Sequence, residues 1–143
     1  MTSSIFPDVN VWLALNHQIH VHHTAAMRWF VAQDESAGFV FCRQTQMGFF
    51  RIMTTEAVLG REVLTQRQCW AIYDRWIEGG KAILAGEPAG IEAVLRQRSS
   101  ADSPSPKAWA DAYLAAFAES ANLTLVTFDR ALAGKTKGAV LLT

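Results

Sequence analysis

The chain has 143 residues, half of them apolar, with 13 basic and 13 acidic side chains and a formal net charge of zero. That length suits a single domain over residues 1–143 with a real core. The neutral balance excludes a nucleic-acid binder that works by bulk positive charge, though not an enzyme that grips a polyanion through a cation and a local patch. The N-terminal Met-Thr-Ser-Ser lacks the basic and apolar regions of a signal peptide. No apolar run approaches the ~20 residues of a bilayer span, so a soluble, cytoplasmic protein without a membrane partner is expected. Cys42 and Cys69, far apart and each in an apolar stretch, are expected as buried free thiols.

Residues 4–7 predict a first strand running into Asp8, and residues 10–16 a short helix. The segment after it holds all four histidines, His17, His20, His22 and His23. No cysteine lies near and the spacings match no standard zinc pattern, so the segment reads as a polar helix entrance. From Val21 the pattern is helical, with Val21, Ala25, Ala26, Trp29 and Phe30 on one face and Gly38 as the stop. Phe39-Val40-Phe41-Cys42 predicts a buried strand, and Thr45 the N-cap of a helix over 46–53. Residues 55–64 read as a connector containing Gly60. Thr65-Gln66-Arg67-Gln68 has the form of a capping box and opens a helix with Cys69, Ile72, Trp76 and Ile77 on one face, closed by Gly79-Gly80.

Ala82-Ile83-Leu84 predicts a third strand, and 88–98 a helix with Ile91, Val94 and Leu95 inward. Residues 99–105 form a Ser/Pro-rich loop. Ser105 is then expected as an N-cap with Pro106 at the first helical position. The helix over 107–119 carries Ala110, Tyr113, Leu114 and Phe117 on its apolar face, with Asp111 beside it. A strand over 123–127 leads to Asp129, a short helical turn, Gly134, the basic pair Lys135 and Lys137, and a last strand over 139–142. Alternating strands and helices argue for an α/β fold with a central, mainly parallel sheet covered by helices. Trp70 points away from the apolar face of its helix, and five Trp are more than one small core readily uses. Part of that aromatic surface is expected to be buried in a homodimer.

Two strands thus end in acids, Asp8 and Asp129, and ligands of open α/β sheets sit at the carboxyl ends of strands. Asp111 is a third acid, near the start of a helix. Mg²⁺ takes oxygen ligands from one or two carboxylates, waters and phosphate, and can activate water and stabilise charge on a phosphodiester. Each acid also has a plainer explanation. Asp8 and Asp129 can cap the helices that follow them, and Asp111 suits a helix N-terminus. Spacing alone leaves both readings open.

Five stretches in order carry a resemblance. They are Phe6-Pro7-Asp8-Val9-Asn10-Val11-Trp12, the histidine segment followed by Arg28-Trp29-Phe30, Thr45-Gln46-Met47-Gly48-Phe49-Phe50-Arg51, Trp109-Ala110-Asp111-Ala112-Tyr113-Leu114, and Val126-Thr127-Phe128-Asp129-Arg130. Together they resemble the PIN-domain ribonucleases, specifically the VapC toxins of bacterial toxin–antitoxin pairs. The resemblance implies a three-layer α/β/α domain and a metal-dependent endoribonuclease toxin silenced by a cognate VapB-type antitoxin. It implies that Asp8, Asp111 and Asp129 are catalytic and hold Mg²⁺ or Mn²⁺ for RNA cleavage, with Asn10 and Thr127 as near neighbours, and that the chain forms a homodimer. Gln46 stands where many relatives carry Glu, so the site would hold three formal negative charges rather than four. Glu56 and Asp102 are the other acids that could compensate.

Arg43, Arg51 and Lys107 are the cations nearest these motifs and are candidate RNA contacts. Arg51 could instead pair with an acid, and Lys107 with Asp111 at i,i+4. The competing reading is a catalytically weak PIN-like module that binds RNA or antitoxin, with Gln46 marking lost chemistry. A haloacid-dehalogenase phosphatase is disfavoured, because Asn10 stands where that family's nucleophile motif needs a second acid.

Overall fold

β1 (Ser3–Pro7) lies at the middle of a five-stranded sheet in the computed structural model, which describes residues 3–143. β2 (Gly38–Phe41) and β3 (Ala82–Leu84) follow on one side, β4 (Thr124–Thr127) and β5 (Val140–Leu141) on the other, giving the order β3-β2-β1-β4-β5. Every neighbouring pair is parallel. Parallel neighbours need crossovers, and here these are helices packed on both faces.

The side chains of β2 show the layering. Phe39 and Phe41 face one cluster, with Trp12, Leu15, Phe49, Met53, Cys69 and Tyr73. Val40 faces the opposite one, with Phe6, Ile91, Leu114, Phe117 and Leu132. The first cluster is roofed by α1 (Val9–Asn16), α2 (His23–Val31), α3 (Arg43–Met53) and α5 (Gln66–Glu78), the second by α6 (Ile91–Arg98), α7 (Ala108–Ala121) and α8 (Arg130–Lys135). The fold is therefore the three-layer α/β/α arrangement with a parallel sheet. Among the described residues no helix is long and apolar enough to cross a membrane.

Trp12 lies flat on Phe41, ring centroids 3.8 Å apart, and meets Trp76 edge-on at 5.0 Å. The Trp76 indole N–H donates to Asn16 Oδ1 (3.0 Å), whose amide donates to the Trp12 carbonyl (2.8 Å). Trp12, Trp29 and Trp76 thus go into one aromatic core with Phe30 and Phe39. Both cysteines are buried and free, as expected.

Several boundaries differ from the expectation. α2 begins at His23, and Val21 lies outside it, 87% exposed. α3 begins at Arg43, with Cys42 rather than Thr45 as N-cap; Thr45 is the third helical residue and its hydroxyl accepts from the Cys42 N–H (3.0 Å). The strand ends at Phe41, so the helix must start at once, and Thr45 caps from inside. The connector holds a short helix α4 (Glu56–Leu59), pinned by buried Leu59, and a 3₁₀ turn over 60–62. α6 starts at Ile91, after Gly90 takes a left-handed φ of 79°. α7 starts after Lys107, because Ser105 has φ 41° and not the extended backbone of an N-cap. The capping box at Thr65 is present in both directions, at 3.1 and 2.9 Å.

Gly48 permits α1 and α3 to approach. A Cβ there would lie 2.9 Å from Val9 Cγ2, and Val9 is stiff at χ1. Gly48→Ala should therefore lose to overpacking what it gains in helix propensity, about 1 kcal/mol. In a Val9→Ala background the same substitution should stabilise by about 1 kcal/mol. Denaturant unfolding of the four variants measures this coupling, and additive effects would refute the contact.

Candidate active site

β1 and β4 are adjacent, with Pro7 opposite Val126. The ladder closes with the Asp8 N–H donating to the Val126 carbonyl (2.9 Å). Asp8 therefore leaves the sheet beside Thr127, and Asp129 two residues further on. This is where the chain order reverses about β1, the crevice in which doubly wound sheets take ligands. The side chains join there. The Thr127 hydroxyl, fully buried, donates to Asp8 Oδ2 (2.9 Å) and accepts from the Asp129 N–H (2.9 Å).

The capping explanations of Asp8 and Asp129 are correct as far as they go. Asp8 Oδ1 accepts from the Val9 N–H (2.7 Å) at the start of α1. Asp129 Oδ1 accepts from Ala131 N–H (2.8 Å) and Leu132 N–H (3.2 Å) at the start of α8. Capping does not exclude a ligand, since a carboxylate has about four acceptor positions. It fixes the orientation of each carboxylate and leaves lone pairs free.

Asp111, in the first turn of α7, is the third acid. Burial raises the Asp8 pKa, and the charges of Asp111 and Asp129 raise it further, against the hydrogen bonds from Thr127 and Val9. Burial also raises that of Asp111, helped by Asp129 and opposed by Lys135. The acids therefore feel one another, and Lys135 offsets part of their charge. The nearest cation is Lys135, whose Nζ lies 3.9 Å from Asp111 Oδ2. Lys107 makes no ion pair with Asp111; the pairing comes from α8 instead.

An all-oxygen, negatively charged donor set fits a hard divalent cation. Among the described residues no three His, Cys, Asp or Glu side chains are drawn into a finished metal cage. The same holds of the histidines. His23 Nδ1 meets the Ala14 carbonyl at 2.6 Å, His20 Nδ1 accepts from the His22 N–H (3.0 Å), and His22 stacks on Phe128 at 4.4 Å.

Asn10 is exposed on the first turn of α1. Gln46 is buried, with Oε1 accepting from Arg43 Nη1 (2.7 Å). Arg43 and Arg51 are exposed along a groove of about 930 Å³ with Met47, Phe50 and Trp70. Lys107 lines a recess with Asp111 and Lys135. Glu56 begins α4 and Asp102 lies in the exposed loop before α7; both are exposed. The pairing of Lys135 with Asp111 has no signature in the sequence, since the two are far apart and no local spacing connects them.

A parallel sheet with three acids at its switch point is the arrangement of a PIN domain, and the PIN domain family profile matches residues 5–137. The chain belongs to this family, among its VapC ribonuclease relatives. It is 43% identical to Ribonuclease VapC41 of Mycobacterium tuberculosis over 128 residues, 87% of this chain and 88% of that one. Ribonuclease VapC29 of the same organism is 33% identical over 135 residues, 91% and 89% of the two chains. The fold is shared with the crystal structure of M. tuberculosis VapC20, a sarcin-ricin loop cleaving toxin (TM-score 0.60, 13% identity, 92% and 94% coverage). It is also shared with FitAcB from Neisseria gonorrhoeae (TM-score 0.55, 19% identity, 96% of each chain).

The raised Asp8 pKa has a consequence for stability. The folded state favours protonated Asp8, so metal-free protein loses stability as pH rises from the ordinary 3.8 through the folded value. Asn at position 8 can accept from Val9 N–H and donate to Thr127 Oγ1 without the charge. Asp8→Asn in chelator should therefore raise Tm by several degrees at pH 7.5 and not at pH 3.5. Melting curves at both pH values check this, and a lower Tm at pH 7.5 would refute it.

Proposed function

We propose that this chain is a divalent-metal-dependent endoribonuclease toxin, with Asp8, Asp111 and Asp129 as catalytic metal ligands, silenced by a cognate VapB-type antitoxin. The observation that supports the reading is the negative charge gathered near the β1/β4 switch point, from three mutually repelling carboxylates against which Lys135 alone is paired among the described residues. Such a charge is a folding liability unless a cation uses it. Mg²⁺ or Mn²⁺, when bound, would supply Lewis-acid stabilisation of a phosphodiester and acidify a water. Thr127 orients Asp8, and Asn10, exposed in the first turn of α1, would hydrogen-bond ligands or water. Lys135 offers an ammonium to a backbone phosphate beside Asp111. Lys107, Arg43 and Arg51 are the further candidate RNA contacts.

Gln46 adds no charge, and its oxygen is already shared with Arg43. The ion is then held by three carboxylates, weakly, and activity needs millimolar metal. The competing reading, a weakly catalytic module that binds RNA or antitoxin, draws on the same neutral residue. RNA cleavage across Mg²⁺ and Mn²⁺ series decides between them. Asp8→Asn, Asp111→Asn and Asp129→Asn should each lower the rate at least about 100-fold. Cleavage that survives chelation or these substitutions would refute the metal reading.

The homodimer belongs to the same proposal. Met47 is 56% exposed and Trp70 48%, flanking Phe50 on α3 and α5, a larger apolar surface than scattered single residues make. A second copy would cover it, with Arg43 and Arg51 at the rim. Light scattering should give a dimer mass for the wild type and a monomer mass for Met47→Glu/Trp70→Glu. A concentration-independent monomer in the wild type would refute it.

A further inference from the structure

We infer that the cleft between the end of α6, the 99–107 loop and the first two turns of α7 is a nucleotide subsite, which holds an unpaired base of the RNA strand next to the scissile phosphate. The inference rests on the ribonuclease reading and names where its substrate lies. The cleft measures about 480 Å³, within the range of small-ligand pockets. Its space arises from sequence: Ala112 and Ala115, both buried, present only methyl groups where longer side chains would fill it.

Three observations select the occupant. The first is Trp109, which lines the cleft and is 59% exposed on an otherwise well-packed helix. An indole open to solvent is a stacking platform for any base, and unpaired bases are what RNA-binding aromatics take. The second is continuity. Ser105, Ala108 and Lys135 line both this cleft and the neighbouring recess that contains Asp111. A strand with its phosphate at the carboxylates would carry its next nucleotide over Lys135 into the cleft.

The third is charge. Arg98 is held by Glu119 (2.7 Å) and the Lys135 carbonyl (2.9 Å), so its guanidinium is engaged. Lys107 pairs with no acid among the described residues, and Lys135 reaches Asp111 only at 3.9 Å. Lys107 in the recess beside Asp111 is without an acid among the described residues, and Lys135, at the boundary with the cleft, is shared with Asp111; a phosphate between two nucleotides supplies an anion to this pair of cations. Ser105, at this boundary, has φ 41° although the residue before a proline is normally extended. The Ser103 and Ser105 hydroxyls there lie 2.6 Å apart and can bond a sugar or base edge. An apolar protein segment would satisfy Trp109 but leave the Lys107 ammonium without an anion.

The test uses a single-stranded RNA containing every dinucleotide step, with the wild-type chain, Trp109→Ala and Trp109→Phe. Trp109→Ala should raise KM about 10-fold, the scale of one base–aromatic stack, with kcat changed less than about 2-fold. Trp109→Phe should recover most of the loss. An abasic nucleotide at the one position beside the cut should weaken binding about 10-fold to the Asp8→Asn chain and not to Asp8→Asn/Trp109→Ala. Normal KM in Trp109→Ala, or the same abasic penalty with and without Trp109, overturns the subsite while leaving the ribonuclease reading intact. So does a Trp109→Ala chain that cuts RNA normally but no longer binds a protein partner. A wild-type chain that cuts no RNA at any metal concentration overturns the ribonuclease reading, and the subsite with it.

Discussion

The site depends on one hydroxyl. Thr127 is fully buried at the end of β4, and its Oγ1 both donates to the Asp8 carboxylate and accepts from the Asp129 backbone. A hydroxyl has one donor and two acceptor positions, so it can hold a carboxylate and a backbone N–H at once. Val at this position would keep the strand and lose the connection. The hydrogen bond also limits the cost of half-burying a carboxylate, which burial and two neighbouring acids otherwise push towards protonation.

The sheet order makes that contact possible. β1 sits between β2 and β4: the crossover through α1–α2 leads from β1 to β2 on one side, and the crossover through α6–α7 returns from β3 to β4 on the other. No helix can cover the crevice between the carboxyl ends of β1 and β4. The two capping bonds then aim the carboxylates. α1 starts at Asp8 and α8 at Asp129, each helix using one oxygen. Helix N-termini also favour negative charge. The protein thus gathers acids where they are tolerated singly and repel one another together, and Lys135 relieves part of that repulsion from the end of α8.

The tryptophans divide along the same lines. Trp12, Trp29 and Trp76 interlock with Phe30, Phe39 and Phe41 to make one wall of the molecule rigid. Trp70 and Trp109 lie outside that wall, on helices whose other faces are well buried.

The sequence by itself determined the elements whose causes are local. The run Phe39-Val40-Phe41 is apolar on both faces, which only a strand covered on both sides tolerates. The capping box at Thr65 needs residues three apart, and it formed as written. Strands running into Asp8 and Asp129 were visible as patterns, and the resemblance of five short motifs joined them to Asp111. Helix starts were less legible. Thr45 and Ser105 have the chemistry of N-caps, but where a helix begins depends on how the preceding chain must turn, at Cys42 and after Lys107. Only the tertiary structure showed that Asp8 and Asp129 both cap helices and are joined through Thr127. It alone brought Lys135 to Asp111 and left Trp109 open over Ala112 and Ala115. Such contacts join residues distant in sequence, and their energies come from strand order and helix packing, which no window of neighbouring residues encodes.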